Sequence, residues 1–211
     1  MDTGQSGLQA ILFDFMGVLL FLRSDYAGDK TVDAVDDMIG GVVDDDAFRK
    51  AAITNVHINA EEFDSVLSRI PDKYEAYPPL WELLPGLREK YKLGIINNGT
   101  RLTFPYFDTK LKMSEKFDII LSSGAEGARK PDPEIYLRAS RRLGVEPRRC
   151  LFMDDSKLNV EGAIQVGMQT VLWRNREEGL CRFVEAIRQD GLNLQLHQTY
   201  RPERRVLKAK E

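Results

Sequence analysis

Cysteine and histidine are scarce. The 211 residues hold two of each, Cys150 and Cys181, His57 and His197, too few for a disulfide framework, a zinc cluster or a multi-histidine metal site. Excess positive charge is also missing. Lys+Arg 30 against Asp+Glu 33 gives a net charge of -3, so the electrostatic footprint of a nucleic-acid-binding protein is absent. No apolar run is long enough to span a bilayer; the longest, residues 10–22, is broken by Asp14 and Gly17. No basic segment precedes it, and it lacks the small-residue cleavage site of a secretory signal. There is no internal repeat and no low-complexity tract. What remains is a chain with 43% hydrophobic and 30% charged residues, ordinary for a globular protein. It is long enough for one well-buried domain with a smaller inserted one. The expectation is a cytoplasmic protein with no membrane or nucleic-acid partner; composition leaves the oligomeric state open.

Five short apolar runs read as buried strands: residues 8–13, 93–96, 119–121, 150–153 and 170–173. Helical patterns separate the later ones, over 133–143 (opened by Pro133, closed by Gly144), 159–166 and 177–188. Strand alternating with helix predicts an α/β fold, a doubly wound parallel sheet covered on both faces. Residues 22–88 differ, showing no clear strand and four helical segments, 31–39, 44–56, 60–70 and 73–90, with Asn59 and Asp44 or Asp45 as N-caps. This predicts a small helical subdomain over 22–88, inserted into a core of 1–21 and 89–191. The acidic trio 44–46 reads as a solvated helix start. The remaining 192–211 alternates Leu192, Leu194 and Leu196 with polar residues, as an edge strand does, and then turns basic.

The chemistry is expected at the carboxyl ends of the strands, which share one edge of a parallel sheet. The first strand is followed by Asp14, the second by Asn97 and Asn98, the third by a loop reaching Lys130, and the fourth by Asp154 and Asp155. Carboxylates gathered at one edge repel unless a cation joins them. An all-oxygen donor set suits Mg²⁺ better than zinc or copper. The cluster therefore reads as a phosphate-and-magnesium site, with Lys130 the charge partner of both a carboxylate and the substrate.

The segments ILFDFMGVLL, LGIINNGT, ARKPDPEIY and LFMDDSKLNVEGA resemble, in order, the four motifs of the haloacid dehalogenase-like (HAD-like) hydrolase superfamily. The helical insertion falls where that family carries its cap. The resemblance covers the chain to about Gln189 and implies a Rossmann-like core. It makes Asp14 the nucleophile that forms an aspartyl-phosphate and Lys130 the lysine that stabilises it. It also implies Mg²⁺ held by Asp14, the backbone carbonyl of Met16, Asp154 and Asp155, and substrate contacts from Asn97, Asn98 and Lys130. Two positions depart from the pattern. Met16 stands where phosphatases of the family carry a second Asp, the leaving-group acid, and Asn97 stands where they carry Ser or Thr. Loss of such an acid costs on the order of 10²–10⁴ in rate for a poor leaving group; an asparagine amide still donates a hydrogen bond.

Three functions follow as alternatives. One is a phosphatase of a small, sugar-phosphate-like ester that favours good leaving groups. Another is a 2-haloacid dehalogenase, which the acidic pair disfavours because its substrate is itself a carboxylate. The third is a non-catalytic binder of a phosphorylated ligand. In the insertion, Tyr26, His57, Tyr74, Tyr77 and Trp81 read as helical packing residues and name no substrate.

Overall fold

The computed structural model describes residues 7–192, so the basic segment and the leucine alternation beyond Leu192 lie outside the described residues. Seven strands are described: β1 (Ala10–Phe13), β2 (Leu20–Leu22), β3 (Tyr74–Ala76), β4 (Lys92–Asn97), β5 (Ile119–Ser122), β6 (Cys150–Asp154) and β7 (Gln169–Leu172). Five of them form one parallel sheet in the order β5-β4-β1-β6-β7. The expected α/β architecture is present, and its strands are the five apolar runs.

β1 is central and buried on both faces. Its alternation splits the core: Ile11 and Phe13 point into one apolar cluster, Ala10 and Leu12 into the other. Register decides where the chemistry lands. Phe13 sits opposite Ile95 on β4 and Met153 on β6. The residues just beyond, Asp14, Asn97 and Asp154, therefore emerge together at one sheet edge.

The insertion after β2 opens with α1 (Lys30–Asp36), α2 (Asp45–Val56) and α3 (Ala60–Arg69). Each has a polar N-cap that accepts from the first turn, namely Asp29, Asp44 and Asn59, and Asn59 completes a capping box with Glu62. α3 buries Phe63, Val66 and Leu67. The expected helix over 73–90 is not there, and the insertion is not strand-free. A 3₁₀ turn (Ile70–Lys73) leads into β3, which pairs antiparallel with β2, and only then come the short helices α4 (Pro78–Trp81) and α5 (Leu84–Arg88). The cause is proline. Pro78, Pro79 and Pro85 lack the N–H that a continuous helix needs and can sit only in the first turn of separate short ones.

The acidic trio also divides. Asp44 caps α2 and Asp46 is exposed, but Asp45 is buried and accepts from the Thr100 hydroxyl at 2.6 Å, across to the loop after β4. It is a contact between insertion and core, not a solvated helix start.

The remaining chain covers the sheet with α6 (Phe104–Leu111), α7 (Met113–Lys116), α8 (Ser123–Glu126), α9 (Pro133–Leu143), α10 (Lys157–Gln165) and α11 (Arg176–Gln189). α9 begins at Pro133 and ends at a left-handed Gly144, as expected. α9 and α10 pack on one face of the sheet through Ile135, Tyr136, Ala139, Leu143 and Ala163; α11 packs on the other through Phe183 and Ile187. No helix among the described residues is long and apolar enough to cross a membrane.

Candidate active site

Asp14 follows β1 with its backbone N–H bonded to the Met153 carbonyl at 2.8 Å, which ties it to the strand that delivers Asp154. Lys130 arrives from the loop between α8 and α9. Its ammonium bridges Asp14 Oδ1 at 2.5 Å and Asp154 Oδ2 at 2.7 Å. The lysine is 2% exposed and Asp154 is 0% exposed, so the triad is dry. Phe152 places its ring 5.6 Å beneath the ammonium.

The lysine is held from behind. The Asn98 side chain accepts from the Lys130 N–H at 2.8 Å and donates to the Lys130 carbonyl at 2.9 Å. The Asn98 side chain thus positions Lys130, while Asn98 itself lines the cleft, where its backbone N–H was expected to contact substrate. Asp154 is held as firmly, since its Oδ1 accepts from Ser156 N–H at 2.8 Å and Asn159 Nδ2 at 2.9 Å. Gly162 lets α10 approach, because a Cβ there would lie 2.5 Å from the Pro131 carbonyl oxygen.

Asp155 is different: it is exposed and lies against the chain that follows Asp14. Gly17, at φ +90, leaves space for it, since a Cβ there would stand 2.4 Å from Asp155 Oδ2. Asp14, Asp154 and Asp155 each offer an oxygen within 4.8 Å of the others. Their protonation reflects the crowding. Burial pushes the Asp14 carboxyl up to about 7 even though the Lys130 charge opposes the shift. Desolvation and the adjacent Asp154 charge raise Asp155. Burial works against the Lys130 ammonium, but Asp14 and Asp154 outweigh it and keep its pKa above the ordinary lysine value. Three carboxylates against one lysine leave a surplus of negative charge, and an all-oxygen set of this kind fits a hard divalent cation.

Asp14 and Lys130 line a cleft of about 350 Å³, with Asp154 and Asp155 behind its lining. Met16 and Asn97 line it, as the sequence reading expected of site residues, and so do Phe107 and Thr103. The far wall comes from the insertion: Asp36, Asp37, Ile39, Gly40, Ile70 and Tyr74. Tyr74 thus reaches the cleft from a strand, which the helical reading of 73–90 concealed, and its hydroxyl donates to Asp36 at 2.6 Å. Asn159 was the other residue missed; its signal was its place in the first turn of a helix just after an aspartate pair. Tyr26, His57, Tyr77 and Trp81 do not line the cleft.

Over residues 19–173 the chain matches the family model described as haloacid dehalogenase-like hydrolase. Flavin mononucleotide hydrolase 1 of Arabidopsis thaliana is 30% identical over 140 residues, 65% of this chain and 55% of that protein. An (S)-2-haloacid dehalogenase of Pseudomonas putida is 27% identical over 139 residues, 64% of this chain and 60% of that one. The chain thus spans about half the length of the curated relatives it matches. The fold is shared with a HAD family enzyme from Bacteroides thetaiotaomicron, solved in complex with magnesium and inorganic phosphate. The TM-score is 0.60 at 19% identity, covering 78% of this chain and 93% of that one.

Proposed function

Because the chain belongs to the haloacid dehalogenase-like hydrolase family, we propose that it is a Mg²⁺-dependent phosphatase of a small phosphate monoester, with Asp14 as nucleophile. The observation that carries this is the acidic pair at the end of β6: Asp154 and Asp155 add two carboxylates within 4.8 Å of the nucleophile. A bound phosphate can share a cation with such a group. A bare carboxylate substrate would be repelled by it.

Asp14 and Asp155, with the Met16 carbonyl, would hold the Mg²⁺. Asp154, whose oxygens already serve Lys130, Ser156 and Asn159, acts on the site through Lys130. When bound, the ion supplies charge neutralisation at the phosphoryl oxygens. An Asp14 oxygen attacks phosphorus and the ester P–O bond breaks. The leaving oxygen takes its proton from water, since Met16 has none to give. A second water then attacks the aspartyl-phosphate, releasing inorganic phosphate and restoring the carboxylate. Lys130 stabilises the charge on both the nucleophile and the transferring group, and the Asn97 amide donates to a phosphoryl oxygen.

The test is p-nitrophenyl phosphate turnover with and without Mg²⁺, against Asp14→Asn. Magnesium-dependent turnover lost in the variant is the expected result; none in the unmutated protein would sink the reading. Independently of activity, calorimetric Mg²⁺ titration should weaken by at least about tenfold in Asp155→Asn. Met16→Asp should raise the rate on alkyl phosphates, where the leaving group needs an acid.

A second reading has one observation behind it. A dehalogenase of this family does without the acid that Met16 replaces, and a (S)-2-haloacid dehalogenase is among the similar proteins. EDTA-resistant chloride release from 2-chloropropionate would establish it.

A further inference from the structure

The insertion's share of the cleft lining is acidic, and its charge is only partly balanced among the described residues. Asp36 and Asp37 both line the cleft. Asp36 is occupied, by Lys73 at 2.6 Å and the Tyr74 hydroxyl at 2.6 Å. The Asp37 carboxylate makes no hydrogen bond or ion pair among the described residues, although its backbone N–H caps α1 by bonding to Asp33. It stands at the carboxyl end of α1, where no basic residue occupies the last turn and a carboxylate is disfavoured by the helix dipole. Among the described residues Lys130 is the one cation lining the cleft, and it is committed to Asp14 and Asp154. Arg101 opens onto a neighbouring cavity of about 280 Å³ and is paired with Asp45 at 3.3 Å.

A phosphate ester bound with its phosphorus at Asp14 points its leaving group at this wall. The cleft lies at the small end of the roughly 300–1,000 Å³ range of small-molecule sites, so the leaving group cannot stand far from Asp37. We propose that the cleft selects monophosphates whose leaving group carries a protonated amine, an amino sugar phosphate being the class that fits, with Asp37 as its counter-charge. A leaving group with a carboxylate or a second phosphate meets like charge at short range and is disfavoured. The hydroxyls of a sugar supply donors for the remaining carboxylate lone pairs. This rests on the phosphatase reading of Asp14, which fixes the orientation of the ester.

The experiment separates the two claims. Asp14→Asn, which holds substrate without turning it over, is titrated in Mg²⁺ with glucosamine 1-phosphate, glucose 1-phosphate and glucuronic acid 1-phosphate. These share a hexose ring and an anomeric phosphate and differ in charge. The expected order of affinity is amine, neutral, carboxylate, spread over about a hundredfold, or about 2.8 kcal/mol. Adding Asp37→Asn, a near-isosteric change at an exposed position, should shrink that spread to about tenfold, and Asp37→Lys should reverse the order. Equal affinities, or tightest binding of the glucuronic acid ester, would overturn the proposal. Turnover of p-nitrophenyl phosphate by the unmutated protein is read separately. The amine preference without turnover upholds the selection and discards the phosphatase; turnover without the preference does the opposite.

Discussion

Two buried lysines in this molecule each bridge two aspartates, one lining the cleft from the core and the other in the insertion behind Asp36 and Tyr74, which line it. Lys130, in the core, spans Asp14 and Asp154 at 2.5 and 2.7 Å. Lys73, in the insertion, spans Asp33 and Asp36 at 2.7 and 2.6 Å. The geometries are nearly alike; the surroundings are not. Around Lys130 both carboxylates are buried, and a third, Asp155, adds charge without an ion pair of its own among the described residues. Around Lys73 the Asp33 carboxylate is 38% exposed, and the Tyr26 and Tyr74 hydroxyls donate to the two acids. The insertion's network can dissipate its charge into water and phenols. The core's is buried with a third carboxylate close by, a surplus that the proposed Mg²⁺ would offset. The same triad is thus a brace on one side and the proposed reaction centre on the other, and the difference lies in what else is buried with it.

The sharpest way to break the comparison is to remove each lysine in turn. Lys130→Met strands two carboxylates in a dry site, and the loss of one partner of a buried pair costs about 3–5 kcal/mol. Denaturant unfolding should show a loss of that size, with p-nitrophenyl phosphate turnover abolished. Lys73→Met should cost less, about 1–3 kcal/mol, because water and the tyrosines take over part of the lysine's role. Equal losses at the two positions would mean that burial, and not charge balance, sets the energetics.

pH sharpens the second of these. Burial opposes the Lys73 charge, but Asp33 and Asp36 outweigh it and raise its pKa above the ordinary value of 10.5. A lysine whose pKa is higher folded than unfolded contributes stability that is fully present below the unfolded value. That stability is lost as pH climbs through the folded one. The difference in unfolding free energy between the unmutated protein and Lys73→Met should therefore hold constant from neutral pH to about 10 and shrink above it. A difference that grew with alkali would refute the assignment of Lys73 as an ion-pair partner.

The core side of this comparison was legible in the sequence and the insertion side was not, for a physical reason. Strands of a parallel sheet are short, wholly apolar and end abruptly, so Asp14, Asn97, Asp154 and Asp155 stand out as the first polar residues after each run. Their convergence follows from topology alone. The partners of Lys73 come from a loop, a seven-residue helix and a strand, joined by no period and no motif. The prolines at 78, 79 and 85 marked the breaks in 73–90, but nothing in that stretch announces a three-residue strand, whose pairing with β2 depends on a segment fifty residues away. Asn98 carries work that its place did not announce: its side chain clamps the Lys130 peptide, and an amide beside a phosphate site and an amide holding a lysine's peptide leave the same mark in a sequence.

The finest distinction between the two triads is the phenol. Tyr74 is held protonated: burial raises its pKa, and its bond to Asp36 raises it further. It therefore donates to Asp36 throughout the physiological range, to the same Oδ2 that Lys73 contacts. Tyr74→Phe removes one donor to a carboxylate that keeps its lysine, so the expected loss is only about 0.5–1.5 kcal/mol, read as a small fall in unfolding midpoint. Its larger consequence lies in the cleft. With the phenol gone, Asp36 regains a free lone pair beside Asp37, and the wall becomes a stronger cation site. Glucosamine 1-phosphate should then bind Asp14→Asn/Tyr74→Phe more tightly relative to glucose 1-phosphate than it binds Asp14→Asn alone. A fall in that ratio would mean that the tyrosine itself holds the ligand, and that the insertion's triad is part of the binding site and not merely its brace.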